Sequence, residues 1–374
     1  MKPAILTHDA YLRAVTLRDL ADPAQGPHAL QQLIGRIHQA LCTRWGCALR
    51  IHRAHPAVPV EHNYDRLHYP PGGAARDARY TRYVSETTVL RTQTSAMVPP
   101  LLAQVAQHPP ADVLLACPGL VYRRDEIDRL HTGEPHQVDL WRIVRGRVGI
   151  PELREMVATV MEAVLPGREY RLNPSPHPYT LEGVEVEARA GGGWVEIGEC
   201  GLALPAILDE AGLPTAHYSG LAMGLGLDRL LMLVKGMDDI RLLRSDDPRI
   251  AAQMLDLEPY RPVSSQPAAR RDLSIAVDAD RTPEELGDRV RQALGGRVTS
   301  LESVEVLSET AYDALPQQAR ERIGMAPGQK NVLVRVVIRD LVRTLTSAEA
   351  NALRDAVYAS LHEGSAWQWA SAAA

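Results

Sequence analysis

The sequence predicts an α+β protein in two parts: a mostly antiparallel sheet flanked by helices, then a small βαββα sandwich. Three observations carry that expectation. The first fifty residues repeat their apolar positions at helical spacing, residues 80 to about 200 alternate between short extended runs and turns, and a Pro- and Ser-rich stretch precedes a strand–helix–strand–strand–helix order.

Each element has a local reason. In "GPHALQQLIGRIHQALCTRW", Leu30, Leu33, Ile34, Ile37 and Leu41 form one stripe of an amphipathic helix. The strand candidates are "DVLLACP", "LVYRRDEI", "HQVDLWRIV", "GVEVEARA" and "WVEIGECG", the last two joined by a Gly triplet that suits a hairpin. No period of solenoid length recurs. The stretch "DLEPYRPVSSQPAAR" has no periodicity and reads as a linker over 256–270. Beyond it, "RRDLSIAVD" is a strand, "TPEELGDRVRQALGG" a capped helix, and "VTSLESVEVLSE" and "KNVLVRVVIRD" are strands. "TSAEANALRDAVYASLHEG" is a helix with Thr346 as N-cap and Glu349 three residues on. The expected organisation is a helical segment at 1–60, a core at 61–255, the linker, and a tail domain at 271–365.

Composition narrows the function. Of 374 residues, 45% are apolar and 23% charged, the balance of a soluble globular protein. A net charge of -5 argues against coating nucleic acid by bulk attraction, so an RNA partner must meet a local basic patch. The four cysteines form no C-x-x-C pair, which argues against zinc ribbons and thioredoxin-type redox and fits a reducing cytosol. "MKPAILTHDAYLRAV" lacks the apolar core of a signal peptide and no stretch approaches a membrane span, so a cytoplasmic protein with no membrane partner is expected. Phe is absent from the whole chain.

Two stretches carry chemistry. In "GLAMGLGLDRLLMLVKGMDDIR" (220–241), glycines lead into a run that is apolar almost all round, the mark of a buried helix. Neither a Walker loop nor a dinucleotide fingerprint is present. Arg229 in that helix's first turn needs a partner, since an unpaired buried charge costs several kcal/mol. An internal salt bridge and an anionic ligand such as a nucleotide phosphate both supply one. The second stretch, "VYRRDEIDRLHTGEPHQVD" (121–139), reads as a hairpin with a turn near Thr132-Gly133. Alternation puts Arg123 and Asp125 on one face, as it does Gln137 and Asp139: a cation for phosphate, carboxylates for an ammonium or a ribose. The bland alternative is a solvated hairpin with surface ion pairs. His131, His136 and Cys117 match no standard zinc spacing.

Taken together, these residues resemble the signature motifs of class II aminoacyl-tRNA synthetases, most closely the phenylalanyl-tRNA synthetases of the single-chain, mitochondrial type. "VYRRDEID" with "HQVD" resembles that family's second motif, and "GLGLDRLLMLVKGMDDIRLL" its third. "WVEIGECG", "LRTQTSA" and "NYDRL...P" are similar to the strand before the third motif and to the L-R-T-H-T-S and N-F-D-x-L...P segments. "RRDLSIAVD...LVRVVIRDLVRTLTSAEAN" resembles the fused ferredoxin-like anticodon-binding domain. The resemblance runs from about residue 60 to 363. It implies the class II antiparallel sheet, and an ATP-dependent ligase that activates an aromatic or related amino acid and passes it to tRNA as a monomer or homodimer.

It also implies roles. Arg123 would grip the α-phosphate of ATP, Asp125 belongs to the same ATP-binding motif, His131 would lie near the γ-phosphate and Arg229 against the triphosphate and adenine. Glu196 would carry Mg²⁺, a hard ion that wants carboxylate oxygen. Gln93, Ser95, Gln137 and Asp139 would face the amino acid's ammonium and carboxylate. His177, Tyr179, Cys200 and Ala222 would line the side-chain pocket. No general base is required, because the substrate carboxylate attacks the α-phosphate itself.

The departures concentrate in that pocket. The family's F-P-F is His177-Pro178-Tyr179, its T-H-T-S histidine is Gln93, its H-Q-L-E glutamate is Asp139, its adenine-stacking Phe is Pro135, and Glu199 stands where glycine is expected. Avoidance of Phe throughout the chain accounts for His177, Tyr179 and Pro135, since the tail's third strand, remote from substrate, also lacks it. It does not account for Gln93, Asp139 or Glu199, which favours a pocket retuned for a polar side chain. Two further alternatives are a specialised paralogue that activates a non-standard amino acid or uses a non-tRNA acceptor, and a silent RNA-binding regulator.

Overall fold

The computed structural model describes residues 4–73, 76–77, 80–124, 126–263 and 267–367. The chain divides into two compact units. The first comprises Met1–Arg123, Glu134–Met237 and Ala251–Tyr260; the second comprises Arg124–Gly133, Asp238–Ile250 and Arg261–Ala374. Among the described residues, no helix is long and apolar enough to cross a membrane.

The first unit begins with α1 (His8–Val15), whose N-terminus is capped by the Thr7 hydroxyl, and α2 (Ala29–Trp45). The stripe Leu30, Leu33, Ile34, Ile37 and Leu41 is buried as the spacing predicts, and α2 ends on Gly46 in the left-handed region that glycine enters without a Cβ penalty. There follow β1 (Ala48–Ile51), β2 (Ala57–Pro59), α3 (Val60–Asn63), β3 (Thr88–Leu90), α4 (Val98–Val105), β4 (Asp112–Leu120), β5 (His136–Arg145) and α5 (Ile150–Val164). Then come β6 (Tyr170–Pro174), β7 (Thr180–Ala190), β8 (Gly193–Ala203), α6 (Pro205–Glu210), β9 (Tyr218–Gly226) and α7 (Leu227–Lys235). Seven strands make one sheet in the order β1-β4-β5-β9-β8-β7-β6, antiparallel except for the parallel β1–β4 pair. The mostly antiparallel sheet flanked by helices is therefore what the sequence predicts, with the β7–β8 hairpin turning on Gly191–Gly193.

Two elements differ from expectation. "LVYRRDEI" is not a strand: the chain leaves the sheet after Leu120, and Ile127 makes an isolated bridge to Val304 and is buried in the core of the second unit. Its neighbours explain why, since Arg124 finds Asp288 at 3.3 Å and, just beyond the segment, Arg129 finds Glu302 at 2.8 Å, also in the second unit. Conversely, the glycine-rich run before Arg229, which is not among the strand candidates, is a central strand, β9.

That strand sorts the sheet's two faces. Across β5 and β9, Gln137 pairs with Gly226, Asp139 with Gly224, Trp141 with Ala222 and Ile143 with Gly220. Paired residues share a face. One face of β9 is thus Gly220, Ala222, Gly224 and Gly226; the other is Leu221, Met223 and Leu225, with the two leucines and the methionine almost wholly buried. α7 packs on β5, β8 and β9, and α2 packs on α5 and α7. Lys235 at the end of α7 has a fully buried side chain, held by the Asp256 and Glu258 carbonyls at 3.0 and 2.6 Å and by the Asp256 carboxylate at 3.1 Å. Those three acceptors offset the desolvation of its charge.

A one-turn α8 (Pro248–Ala251) comes before the C-terminal stretch of the second unit. That stretch holds β10 (Ala269–Asp278), α9 (Pro283–Leu294), β11 (Leu301–Ala311), α10 (Gln317–Ile323), β12 (Gln329–Ile338) and α11 (Ser347–Leu361). The βαββα order is present with the short α10 inserted before the last strand. The sheet order is β10-β12-β11, so the last strand lies between the first two, antiparallel to both. Reciprocal capping boxes, Thr282 with Glu285 and Thr346 with Glu349, open α9 and α11. Leu273, Ile275, Val277, Val332, Val334 and Val336 meet Leu286, Val290, Val357 and Leu361 in a dry core.

Candidate active site

In the first unit, the small-residue face of β9 forms the floor of a candidate cleft at one end only. It is partly exposed at Gly224 and Gly226, whereas Gly220 and Ala222 are buried, Ala222 in the apolar core with Trp141 and Tyr179. A row of residues runs across the sheet: Cys117 on β4, Asp139 on β5, Gly224 on β9, Glu199 on β8 and Glu185 on β7. The next row on the same face is Leu115, Trp141, Ala222 and Gly201. At Gly224 a Cβ would meet only the Asp139 carboxylate, at 3.8 Å, so the floor is open at that point. Gly224 and Gly226 therefore leave space at that end of the strand, whereas Gly220 is small because the Arg142 carbonyl, 2.8 Å from where its Cβ would be, packs against it.

Asp139 is one wall. It is buried, and accepts hydrogen bonds from the hydroxyls of Thr94 at 2.9 Å and Ser95 at 2.9 and 3.0 Å, and from the Trp141 indole at 3.2 Å. Burial pushes its pKa up to about 6 against the pull of those three donors, and the Glu199 charge adds to the rise. The Gln137 side-chain oxygen lies 3.4 Å from the Thr94 N–H. Gln93 accepts from the Tyr69 hydroxyl at 2.8 Å and donates to the Asn63 carbonyl at 3.0 Å; Asn63 in turn accepts from the Thr92 N–H at 3.1 Å. Polar side chains from four segments thus converge at one end of the cleft.

Aromatic rings form the sides. Tyr179 lies 6.1 Å from Tyr69 and 6.3 Å from Trp141, ring centre to ring centre, and Tyr64 meets Tyr69 edge-on at 5.9 Å. Burial raises the Tyr69 and Tyr179 phenols, so both stay protonated donors. His177 is 5.9 Å from Tyr179, and its Nε2 is 2.6 Å from the Glu199 carboxylate. Gly183 makes that placement possible: a Cβ there would lie 2.3 Å from the Ser175 carbonyl and 3.2 Å from His177 Nδ1.

Two arginines lie beyond the ends of β4 and β9, Arg123 after the first and Arg229 in the first turn of α7. Arg123 donates through Nε to the Thr92 carbonyl at 2.8 Å, which fixes the plane of its guanidinium beside the 92–95 segment. Arg229 reaches the Glu196 carboxylate at 3.3 Å and its carbonyl at 3.4 Å. Of the two expected kinds of partner, an internal salt bridge is the one formed within the chain. Arg229 is also less enclosed than the apolar run implies, at 26% side-chain exposure, which leaves it reachable. A register shift at Val186/Glu187 skips one residue, Ile197, so Glu196 and Glu199 both share the face of Glu185 and Glu187. Burial and the neighbouring Glu196, Glu187 and Glu199 raise the Glu185 pKa. Adjacent like charges are unfavourable on a sheet. Carboxylate oxygens of this kind suit Mg²⁺, which takes one or two of them together with substrate phosphates; among the described residues, no three such groups form a closed metal cage.

Asp125 lies outside the described residues. His131 belongs to the second unit, where its Nδ1 meets Asp128 at 2.7 Å. Cys200 is on the wrong face: it pairs with Met223, and strand alternation turns it away from Glu199, so Gly201 takes the floor position beside Ala222. Burial pushes its thiol up to about 12. Among the participants that escaped the sequence reading are Trp141 and Tyr69. Trp141 is found by continuing the alternation 137, 139, 141. Tyr69 has no such signal. Asp228 accepts from the His136 backbone N–H and Nδ1, the latter at 2.9 Å, while His136 Nε2 accepts from the Leu20 N–H at 3.1 Å, so both ring nitrogens serve the fold.

Comparison with known proteins matches residues 15–254 to the family of tRNA synthetases class II core domain (F). The chain is 35% identical over 199 residues to the phenylalanine--tRNA ligase alpha subunit of Prochlorococcus marinus strain MIT 9313, covering 53% of this chain and 58% of that one. Over 257 residues it is 31% identical to the namesake subunit of Staphylococcus carnosus, covering 65% and 71%; for Nostoc punctiforme the values are 30% over 239 residues, 64% and 70%. The chain thus spans little more than half the length of some curated relatives it matches.

Proposed function

The chain belongs to the class II tRNA synthetases, and on that premise we propose that it is an ATP-dependent ligase that joins an aromatic or related amino acid to tRNA through an aminoacyl-adenylate. The observation that carries this is the cleared row Asp139–Gly224–Glu199. It makes a slot with a hydrogen-bonded carboxylate at one wall and aromatic sides, the shape and polarity of a site for a ring-bearing amino acid.

Asp139, with Ser95, Gln93 and Gln137, takes the α-ammonium and orients the α-carboxylate. A carboxylate oxygen attacks the α-phosphorus of ATP, the bond to the bridging oxygen breaks, and pyrophosphate leaves. Arg123 holds the α-phosphate in the bidentate geometry that guanidinium favours. Arg229 exchanges its Glu196 contact for the nucleotide, and Glu196 is then free to carry Mg²⁺, which when bound offsets phosphate charge. A terminal tRNA hydroxyl next attacks the adenylate carbonyl and AMP leaves. Positioning and charge stabilisation do the catalysis. In the second unit Arg270, Arg271 and Arg335 line a polar groove together with Asp272, Glu302 and Glu305, so an RNA backbone would meet individual arginines there rather than a net positive patch. The relatives are named alpha subunits; for this chain one or two copies suffice, with the second unit supplying RNA contact.

The test is amino-acid-dependent ATP–pyrophosphate exchange. Arg229→Ala is expected to lose roughly 10²–10³-fold in rate, the scale of removing one preorganised charge donor. Exchange absent for every amino acid, with tRNA still bound, would replace this reading with that of an RNA-binding regulator.

A further inference from the structure

We infer that Glu199, held by His177, reads a hydrogen-bond donor on the ring of the substrate, so that this pocket selects an aromatic amino acid bearing a ring hydroxyl or amine over one with a bare ring. The inference rests on the ligase reading above and names its substrate class.

Glu199 and Asp139 stand in one cross-strand row with only Gly224 between them, on the same face and about 10 Å apart at their backbones, two strand spacings. The slot between them has a carboxylate at each end. Asp139 has three donors from the protein. Glu199 has His177 at 2.6 Å and is 36% exposed, so it keeps acceptor capacity toward the cleft. Its charge is felt by Tyr69, Asp139 and Tyr179 alike, which places it among the residues that line the slot.

Avoidance of Phe does not produce this arrangement. It would put an arbitrary residue at 177, but it says nothing about 199, where the family pattern has glycine and no Phe was lost. Nor does packing call for it: Glu199 also faces Glu185 directly, an unfavourable like-charge pair. A ring substituent that donates to Glu199 gives that carboxylate a second partner, whereas a bare ring covers its remaining acceptor capacity and leaves it His177 alone. Sites built this way reject the analogue lacking the polar group far more strongly than apolar pockets discriminate shape. Tyr69, Tyr179 and Trp141 already occupy the sides, which keeps the preference for a single flat ring with a small substituent.

Two measurements on the full chain separate this from the ligase reading. Calorimetric titration without ATP compares Phe, Tyr, meta-tyrosine and para-aminophenylalanine; exchange kinetics uses the same panel. Expected is a kcat/KM for at least one ring-donor amino acid above that for Phe by roughly 10²-fold or more. In Glu199→Gly that ratio collapses toward one or inverts. Glu199→Gln, which keeps size and one acceptor, retains part of it and shows that the loss in Glu199→Gly is not misfolding. Phe preferred by the wild type, or an unchanged ratio in Glu199→Gly, overturns the inference. Binding selectivity for ring donors without any exchange would leave the pocket assignment standing and sink the ligase instead.

Discussion

Each unit of this protein carries a row of charged residues across a sheet, and the two rows are built on opposite rules. In the second unit, Asp272, Arg335 and Glu305 lie side by side with signs alternating, and Arg335 grips Asp272 with two hydrogen bonds of 2.8 and 2.9 Å. In the first, Asp139, Gly224, Glu199 and Glu185 lie side by side with one sign and a gap. The alternating row is what cross-strand pairing favours; the like-signed row is tolerated only where something else needs it. The difference locates the chemistry better than any single residue does.

The contrast breaks first at Asp139. Its carboxyl ionises near 3.8 unfolded and about 6 folded. Between those values the folded state holds the extra proton, so stability falls as pH rises through that window and stays lower above it. The difference is about 3 kcal/mol at about 1.4 kcal/mol per pH unit. Asp139→Asn is therefore expected to raise stability at pH 8 by up to that amount and to change nothing below pH 3.8, read from denaturant melts at both pH values. The same variant should lose roughly a hundredfold in exchange, the scale of a lost buried charge partner. In the wild type, exchange should climb as pH rises through about 6. A variant both less stable and fully active would erase the contrast.

A smaller effect sharpens it. Thr282→Ala in the second unit removes a reciprocal cap and should cost about 1 kcal/mol by thermal melt while leaving pyrophosphate exchange untouched. The smallest effect is expected at Arg335→Ala. The pair with Asp272 is exposed and screened, so the melting curve and exchange should both match the wild type, while tRNA binding weakens and becomes less salt-dependent. Loss of exchange in either variant would show that the second unit takes part in adenylate chemistry.

Local signals made most of the second unit legible. The boxes Thr282–Glu285 and Thr346–Glu349 are three-residue patterns, and "LSIAV" and "VLVRVVI" are runs whose burial needs no distant information. In the first unit, the stripe of α2 and the β7–β8 hairpin were equally local. β9 was not, because a strand whose one face is Gly220, Ala222, Gly224 and Gly226 looks like a loop until its neighbours are known. The run from Val121 to Ile127 looked like a strand because alternation is also what a charged loop can show; the partners Asp288, Glu302 and Val304 that draw it out of the sheet are more than 150 residues away in sequence.

Sequence by itself determined the fold class, the resemblance to class II synthetases, and Arg123, Glu196, Arg229 and Asp139 as candidate site residues, because periodicity, caps and short motifs are properties of neighbouring residues. Register decided the rest. Only when β5, β9 and β8 are aligned do Asp139, Gly224 and Glu199 fall in one row, Trp141 and Tyr69 close on Tyr179, and Cys200 turn away. A side chain's face depends on a count of residues along its strand, but which residues stand beside it depends on the partner strand, and a single-residue shift would exchange the cleft for the core.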